Sequence, residues 1–165
     1  MVNDMADIQI REATPEDAAL ILHFITGLAI YEKAEHKVLA SESDIYDSLF
    51  GKDATAYGLI CSRGDGPIGY AVYFFNYSTW LGKPGLYLED LYILPEHRGS
   101  GAGKILYKHL AKIAVAKGCG RFEWSVLDWN EPAIRFYESL GAKSQEEWII
   151  YRLAGEDLVK LAKTK

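Results

Sequence analysis

The chain has 165 residues, of which 49% are hydrophobic and 25% charged, the size and composition of one soluble globular domain that builds a core without staples. Lys and Arg total 18 against 23 Asp and Glu, a net charge of −5. That balance excludes a nucleic-acid binder, which needs a basic stripe to neutralise phosphates. In chain order, Ile8 to Arg11 reads as a strand. Thr14-Pro15-Glu16-Asp17 then reads as a helix start, with Ile21, Phe24, Ile25 and Leu28 forming one apolar stripe. A second helix is predicted from a Ser41 cap to Phe50. Tyr57 to Ser62 and Ile68 to Asn76 read as strands joined by the turn Arg63-Gly64-Asp65-Gly66-Pro67. Tyr77 to Gly85 is expected to be a loop anchored by Trp80, and Leu86 to Leu94 a strand. A glycine-rich turn leads into a helix with Leu106, Leu110, Ile113 and Ala114 on one face. Arg121 to Leu127 reads as a strand, Pro132 to Leu140 as a helix, Trp148 to Leu153 as a strand and Glu156 to Ala162 as a helix. This order predicts an α/β chain, a mixed sheet flanked by helices, in a single domain over residues 1–165.

Cys61 and Cys119 have neither CxxC nor metal-ligand spacing, so both read as reduced thiols and no metal is expected. No apolar run approaches the ~18 residues of a membrane span, and residues 1–7 lack the basic and apolar regions of a secretion signal. The expectation is a cytoplasmic protein with no membrane or nucleic-acid partner.

The most informative segment runs from Leu88 to Lys104. Alternate glycines at Gly99, Gly101 and Gly103 lie between a strand and a helix, where successive N–H groups converge on an anion and no side chain blocks its approach. A P-loop is excluded because Arg98 stands at its first glycine and Ile105 at its Ser/Thr. A dinucleotide fingerprint is excluded by the Gly-x-Gly-x-Gly spacing. A purely structural turn remains the plain alternative.

Arg98-Gly99-Ser100-Gly101-Ala102-Gly103 resembles the coenzyme A loop of the GNAT acetyltransferase superfamily. Asn130 to Ala142, with its Asn-Glu-Pro-Ala and Phe-Tyr-Glu-Ser-Leu-Gly, resembles that superfamily's second signature. Ile10 to Thr14, Leu28 to Glu32, Trp80 to Lys83, Tyr87 to Asp90 and Trp129 to Pro132 together resemble the spermidine/spermine acetyltransferase branch and its thialysine-acetylating relatives. This likeness spans the chain from Ile8 to about Ala162. The resemblance implies the acyl-CoA N-acyltransferase fold, acetyl transfer from acetyl-CoA to a primary amine, and a homodimer. It also implies that Arg98, Gly99, Ser100, Gly101, Ala102, Gly103 and Lys104 hold the pyrophosphate, and that Leu91, Tyr92 and Ile93 pair with the pantetheine arm. By the same resemblance Asn130 and Ala133 would contact the coenzyme, Tyr137 would be the general acid, and Glu89 would help deprotonate the amine. Tyr31, Glu32, Glu123, Trp124 and Ser125 fall at positions where the resemblance implies lining of the amine site, together with Glu89. Pro84-Gly85 lengthens the preceding loop, and Leu140 stands where relatives often carry a basic residue.

The chemistry needs such groups. An alkylammonium has a pKa of about 10.4 and must lose a proton before attack, which a carboxylate can accept directly or through water. A phenol can protonate the leaving thiolate, and a backbone N–H near Leu91 can hold the oxyanion. Each residue also has a plain reading: Tyr137 shares an apolar helix face with Ala133, Phe136 and Leu140, and Glu32 is an ordinary solvated helix end. Glu89-Asp90 places one carboxylate on each face of a strand, and the resemblance selects Glu89. The expected reaction is acetylation of a polyamine, diamine or related small cationic amine. An amino acid, thialysine-like or peptide amine is the alternative acceptor, and a non-catalytic acyl-CoA sensor the alternative class.

Overall fold

A computed structural model describes residues 7–164 of the chain. They form two compact units, residues 7–125 and 126–164. In the first, β1 (Ile8–Glu12) leads through a 3-10 turn, Pro15–Asp17, into α1 (Ala18–Tyr31). The turn exists because Asp17 is claimed from two sides: the Thr14 N–H donates to Oδ2 at 2.8 Å, and the Arg11 guanidinium grips both carboxylate oxygens at 2.6 and 2.8 Å. α2 (Glu42–Phe50) starts at the expected Ser41 cap, where the Asp44 N–H donates to Ser41 Oγ at 3.2 Å and the Ser41 N–H donates to Asp44 Oδ2 at 2.8 Å.

β2 (Tyr57–Arg63), β3 (Gly66–Ser78) and β4 (Lys83–Ile93) follow as antiparallel neighbours. α3 (Ala102–Ala116) then carries the chain over to β5 (Arg121–Trp124), which lies parallel to β4. The five strands are ordered β1-β2-β3-β4-β5, a mixed sheet flanked by helices. Ala18, Ile21 and Phe24 of α1, Ile45 of α2, and Ile60, Tyr70 and Tyr92 of the sheet form one buried cluster. α3 buries Leu106, Tyr107, Leu110 and Ala114, with the Tyr107 ring 5.8 Å from Phe122 and 4.9 Å from Trp124.

Two expectations are corrected here. Residues 77–85 are not a long loop: β3 runs on to Ser78 and β4 begins at Lys83, leaving a turn of residues 79–82 with Gly82 at φ +61°. The polar Asn76-Tyr77-Ser78 stretch concealed a ladder made by backbone groups. Trp80 is 87% exposed at that turn. In the second unit, α4 (Glu131–Ser139) and α5 (Gly155–Lys163) appear as expected, but Trp148 to Leu153 forms no strand. Tryptophan, isoleucine and tyrosine favour strands because they fit a paired, half-buried surface. Here Trp148 to Tyr151 are 66–93% exposed, and no described strand pairs with them.

Candidate active site

The β4–α3 connection builds an anion site from backbone alone. Gly99 and Gly101 adopt φ +76° and +88°, values that favour glycine. Gly101 is the N-cap of α3 and supplies no side-chain cap. The first intrahelical bond runs from the Ile105 N–H to the Gly101 carbonyl at 3.0 Å. The N–H groups of Ala102, Gly103 and Lys104 are therefore left without intrahelical carbonyls at the positive end of a 15-residue helix. A Cβ placed on Gly99 or Gly103 would meet no atom within 4 Å, so there is room for a ligand over both. The Ser100 hydroxyl is used inside the turn, donating to the His97 carbonyl at 2.7 Å.

The neighbouring strand offers an open edge. β5 pairs only with residues 85–88 of β4, whereas β4 continues to Ile93 paired with β3 alone. Among the described residues, that side of Leu91–Ile93 faces no strand. The Leu94 N–H donates to the Ile68 carbonyl of the β3 side at 2.9 Å. The Ile93 carbonyl, on the opposite side of the same peptide plane, therefore points to the open edge. Leu91, two residues back, presents its N–H and carbonyl the same way. Tyr92 has the other orientation: it opposes Tyr70 across the ladder, and its ring joins the core under α1. That ring lies so close to α1 that a Cβ on Gly27 would come within 2.9 Å of it.

Arg98 is folded away from the helix start. Its Nε donates to the Ile93 carbonyl at 3.0 Å, and its guanidinium carbon sits 4.8 Å from the Tyr31 ring centre and 5.3 Å from that of Tyr92. It thus ties the end of α1 to the end of β4 by cation–π contact.

The amine-side residues are arranged around a bulge in β4. Val72 opposes Asp90 and Tyr73 opposes Leu88, so Glu89 is the extra residue between them. Glu89 is exposed. Asp90 shares the α1 side with Tyr70 and Tyr92, and its Oδ2 accepts the Tyr70 hydroxyl at 2.8 Å. Burial pushes the Asp90 carboxyl above the usual carboxylate range, although the Tyr70 bond pulls it back. Glu32, half-buried at the end of α1, is likewise raised by burial and then by the charge of Asp90. Burial, with Asp90 next, drives the Tyr70 phenol far above its ordinary value, so it stays a donor.

Glu123 opposes Tyr87 in the β4–β5 ladder, and its Oε1 lies 2.7 Å from Arg121 Nε. Ser125 Oγ shares a 2.6 Å hydrogen bond with the Tyr87 hydroxyl, while the Trp124 ring packs on Tyr107 and Phe122. In the second unit Asn130 is buried at the start of α4. Ala133 and Tyr137 are half-buried one turn apart, with the Phe136 and Tyr137 ring centres 5.7 Å apart.

An anion cradle, a free strand edge directly before it and a carboxylate-rich region on the same strand suit a phosphate- and amide-bearing acyl donor with a cationic acceptor. The model of the acetyltransferase (GNAT) family matches residues 24–142. The chain belongs to the GNAT family of acetyltransferases. It is 38% identical over 169 residues to the thialysine N-epsilon-acetyltransferase of Mus musculus, covering 96% of this chain and 99% of that protein. It is 34% identical over 164 residues to the human spermidine/spermine N(1)-acetyltransferase-like protein 1, covering 93% of this chain but 24% of that protein. An integron cassette protein from Vibrio cholerae has the same fold, with TM-score 0.80, 28% identity and coverage of 96% and 99% of the two chains. As a GNAT enzyme the protein uses acetyl-CoA as co-substrate and acetylates an amine. Among the described residues no three or more His, Cys, Asp or Glu side chains are placed to hold a metal ion, and no helix is long and apolar enough to cross a membrane.

Sequence reasoning missed Asp90 and Tyr70 as members of this region. The signal was the bulge, which changes which of two adjacent carboxylates turns inward, and no residue pattern announces it.

Proposed function

We propose that the acceptor is a small primary amine carrying two ammonium groups, either a diamine or polyamine or a diamino acid of the thialysine type. The carrying observation is the pair of half-buried carboxylates, Glu32 and Asp90, each raised in pKa by burial; such groups are poorly solvated and gain most from bound cations. The relatives named for thialysine and for spermidine/spermine support the same class, since both kinds of amine carry at least two ammonium groups.

Bound acetyl-CoA supplies an activated thioester. The Ala102, Gly103 and Lys104 amides and the Lys104 side chain bind its pyrophosphate, and the Leu91 backbone and the Ile93 N–H pair with its pantetheine amides, the Ile93 carbonyl being held by Arg98. The Leu91 N–H stands on the open edge to hold the oxyanion as the amine attacks. Glu89, exposed at the bulge, takes the ammonium proton through water, and Tyr137 protonates the leaving sulfur. Neither cysteine is needed: Cys61 is buried, and burial raises its thiol to about 11. The two units act as one acetyltransferase domain, a reading supported by the family match running across residue 125. The free thiols support a cytoplasmic location. A second copy of the chain covers the exposed Trp148–Tyr151 run to form a homodimer. Thiol release from acetyl-CoA, measured with diamines, diamino acids and monoamines, tests the acceptor: the dications should turn over with the highest kcat/KM. Equal use of monoamines would refute the dicationic class.

A further inference from the structure

The family resemblance assigns Arg98 to the pyrophosphate, yet its exposed side chain is engaged elsewhere. The Nε–H donates to the Ile93 carbonyl at 3.0 Å, and the guanidinium carbon lies 4.8 Å from the Tyr31 ring centre and 5.3 Å from that of Tyr92. Each contact has a consequence. The Ile93 carbonyl is the last group on the open side of β4. With it capped, the Leu91 N–H, the Leu91 carbonyl and the Ile93 N–H form a donor-acceptor-donor row for an extended chain. A slip of such a chain along β4 toward Gly99 would need the capped carbonyl, so the cap restricts the register. Tyr31 is the last residue of α1, whose last turn carries no basic residue. Arg98 therefore supplies the cation that the negative end of that helix lacks. Tyr92 packs under the same helix, against Gly27. One side chain thus joins the open edge of β4 to the end of α1.

We propose that Arg98 is a positioning residue and not a phosphate ligand: it fixes the register of the pantetheine arm on β4 and ties that register to Tyr31, so that the end of α1 controls affinity for the coenzyme. This rests on the pairing of pantetheine with the open edge described above, and deepens it by naming what ends that edge. The pyrophosphate is left to the start of α3. The coupling is reciprocal, because a coenzyme that binds the capped edge more tightly also favours the state in which Arg98 holds Tyr31.

The test measures equilibrium binding, with no amine present, of CoA and of adenosine 3′-phosphate 5′-diphosphate, which is CoA without its pantetheine arm. A phosphate ligand serves both molecules, whereas a residue that positions the edge serves only CoA. Arg98→Ala should raise the Kd for CoA about 10-fold or more, the size of a lost charged hydrogen bond and cation–π contact, and leave the nucleotide Kd within about twofold. The retained nucleotide affinity also shows that the cradle at α3 is folded. Tyr31→Leu removes a ring and no charge, and should raise the Kd for CoA about threefold or more. Tyr31→Phe keeps a ring for the guanidinium and should bind CoA within about twofold of wild type. Parallel losses of CoA and nucleotide in Arg98→Ala would overturn the proposal in favour of a phosphate contact. Wild-type CoA affinity in Tyr31→Leu, or a Tyr31→Phe variant as weak as Tyr31→Leu, would overturn the link to α1. Wild type that binds CoA no more tightly than the nucleotide would overturn the pantetheine pairing itself, and is distinguished because no variant is involved.

Discussion

Gly69→Ala offers a direct perturbation of the strand edge proposed to hold the coenzyme. Gly69 opposes Ile93 in the β3–β4 ladder. A Cβ there would overlap the Tyr92 carbonyl oxygen and would lie 2.6 Å from Ile93 Cδ1 and 3.2 Å from Ile93 Cα. Ile93 Cδ1 can rotate aside, but the two backbone atoms cannot yield unless the strands separate. Overpacking of this kind costs about 1–3 kcal/mol. Separation also weakens the adjacent bond from the Leu94 N–H to the Ile68 carbonyl, 2.9 Å long, at about 0.5–1.5 kcal/mol. The sum is a destabilisation of about 1.5–4.5 kcal/mol, which for a urea m-value of about 2 kcal/mol/M lowers the unfolding midpoint by about 0.8–2.2 M. Because the same shift moves Leu91 and Ile93, the KM for acetyl-CoA should rise more than the KM for the amine. A midpoint within about 0.3 M of wild type, well under the expected shift, would refute the claim that the β3–β4 backbones meet too closely for a side chain.

Two further substitutions probe other links. Asp17→Asn should cost about 1–2 kcal/mol at pH 7, since the carboxylate accepts from Arg11 and from the Thr14 amide. The Arg11 guanidinium, hydrogen-bonded to both oxygens, holds the Asp17 carboxyl below the ordinary range. Its stabilisation is therefore full above the unfolded pKa of about 3.9 and lost as pH falls through the lower folded value. Urea titrations should show wild type and variant converging in that acid window, and a gap independent of pH would contradict the ion pair. Tyr137→Phe should lower kcat by about 100-fold or more with the KM for acetyl-CoA unchanged, as loss of a general acid requires. Unaltered kcat would remove Tyr137 from that role.

Much of the coenzyme end could be read directly from the residues. Gly99 and Gly101 were informative because only glycine enters positive φ at low cost, and both do so here. Ser41 and the α1 stripe were equally local signals, and both elements formed as expected. The amine end depended on what periodicity cannot encode. A single extra residue at Glu89 altered which β4 side chains face α1, bringing Asp90 to Tyr70. The contact of Arg98 with Tyr31 and Tyr92 joins residues more than sixty positions apart in the chain, so no local pattern foretells it. Trp148 to Leu153 shows the opposite failure: strong strand propensity without a strand, because a ladder needs a neighbour.

Direct transfer to an amine is tested most plainly by mixing the protein with acetyl-labelled acetyl-CoA and 1,5-diaminopentane, then following label and free thiol together. One acetylated amine should appear for each thiol released, at the same rate, with no label on the protein. Thiol release accompanied by labelled protein before any labelled amine, or tight coenzyme binding with no labelled amine at all, would contradict it.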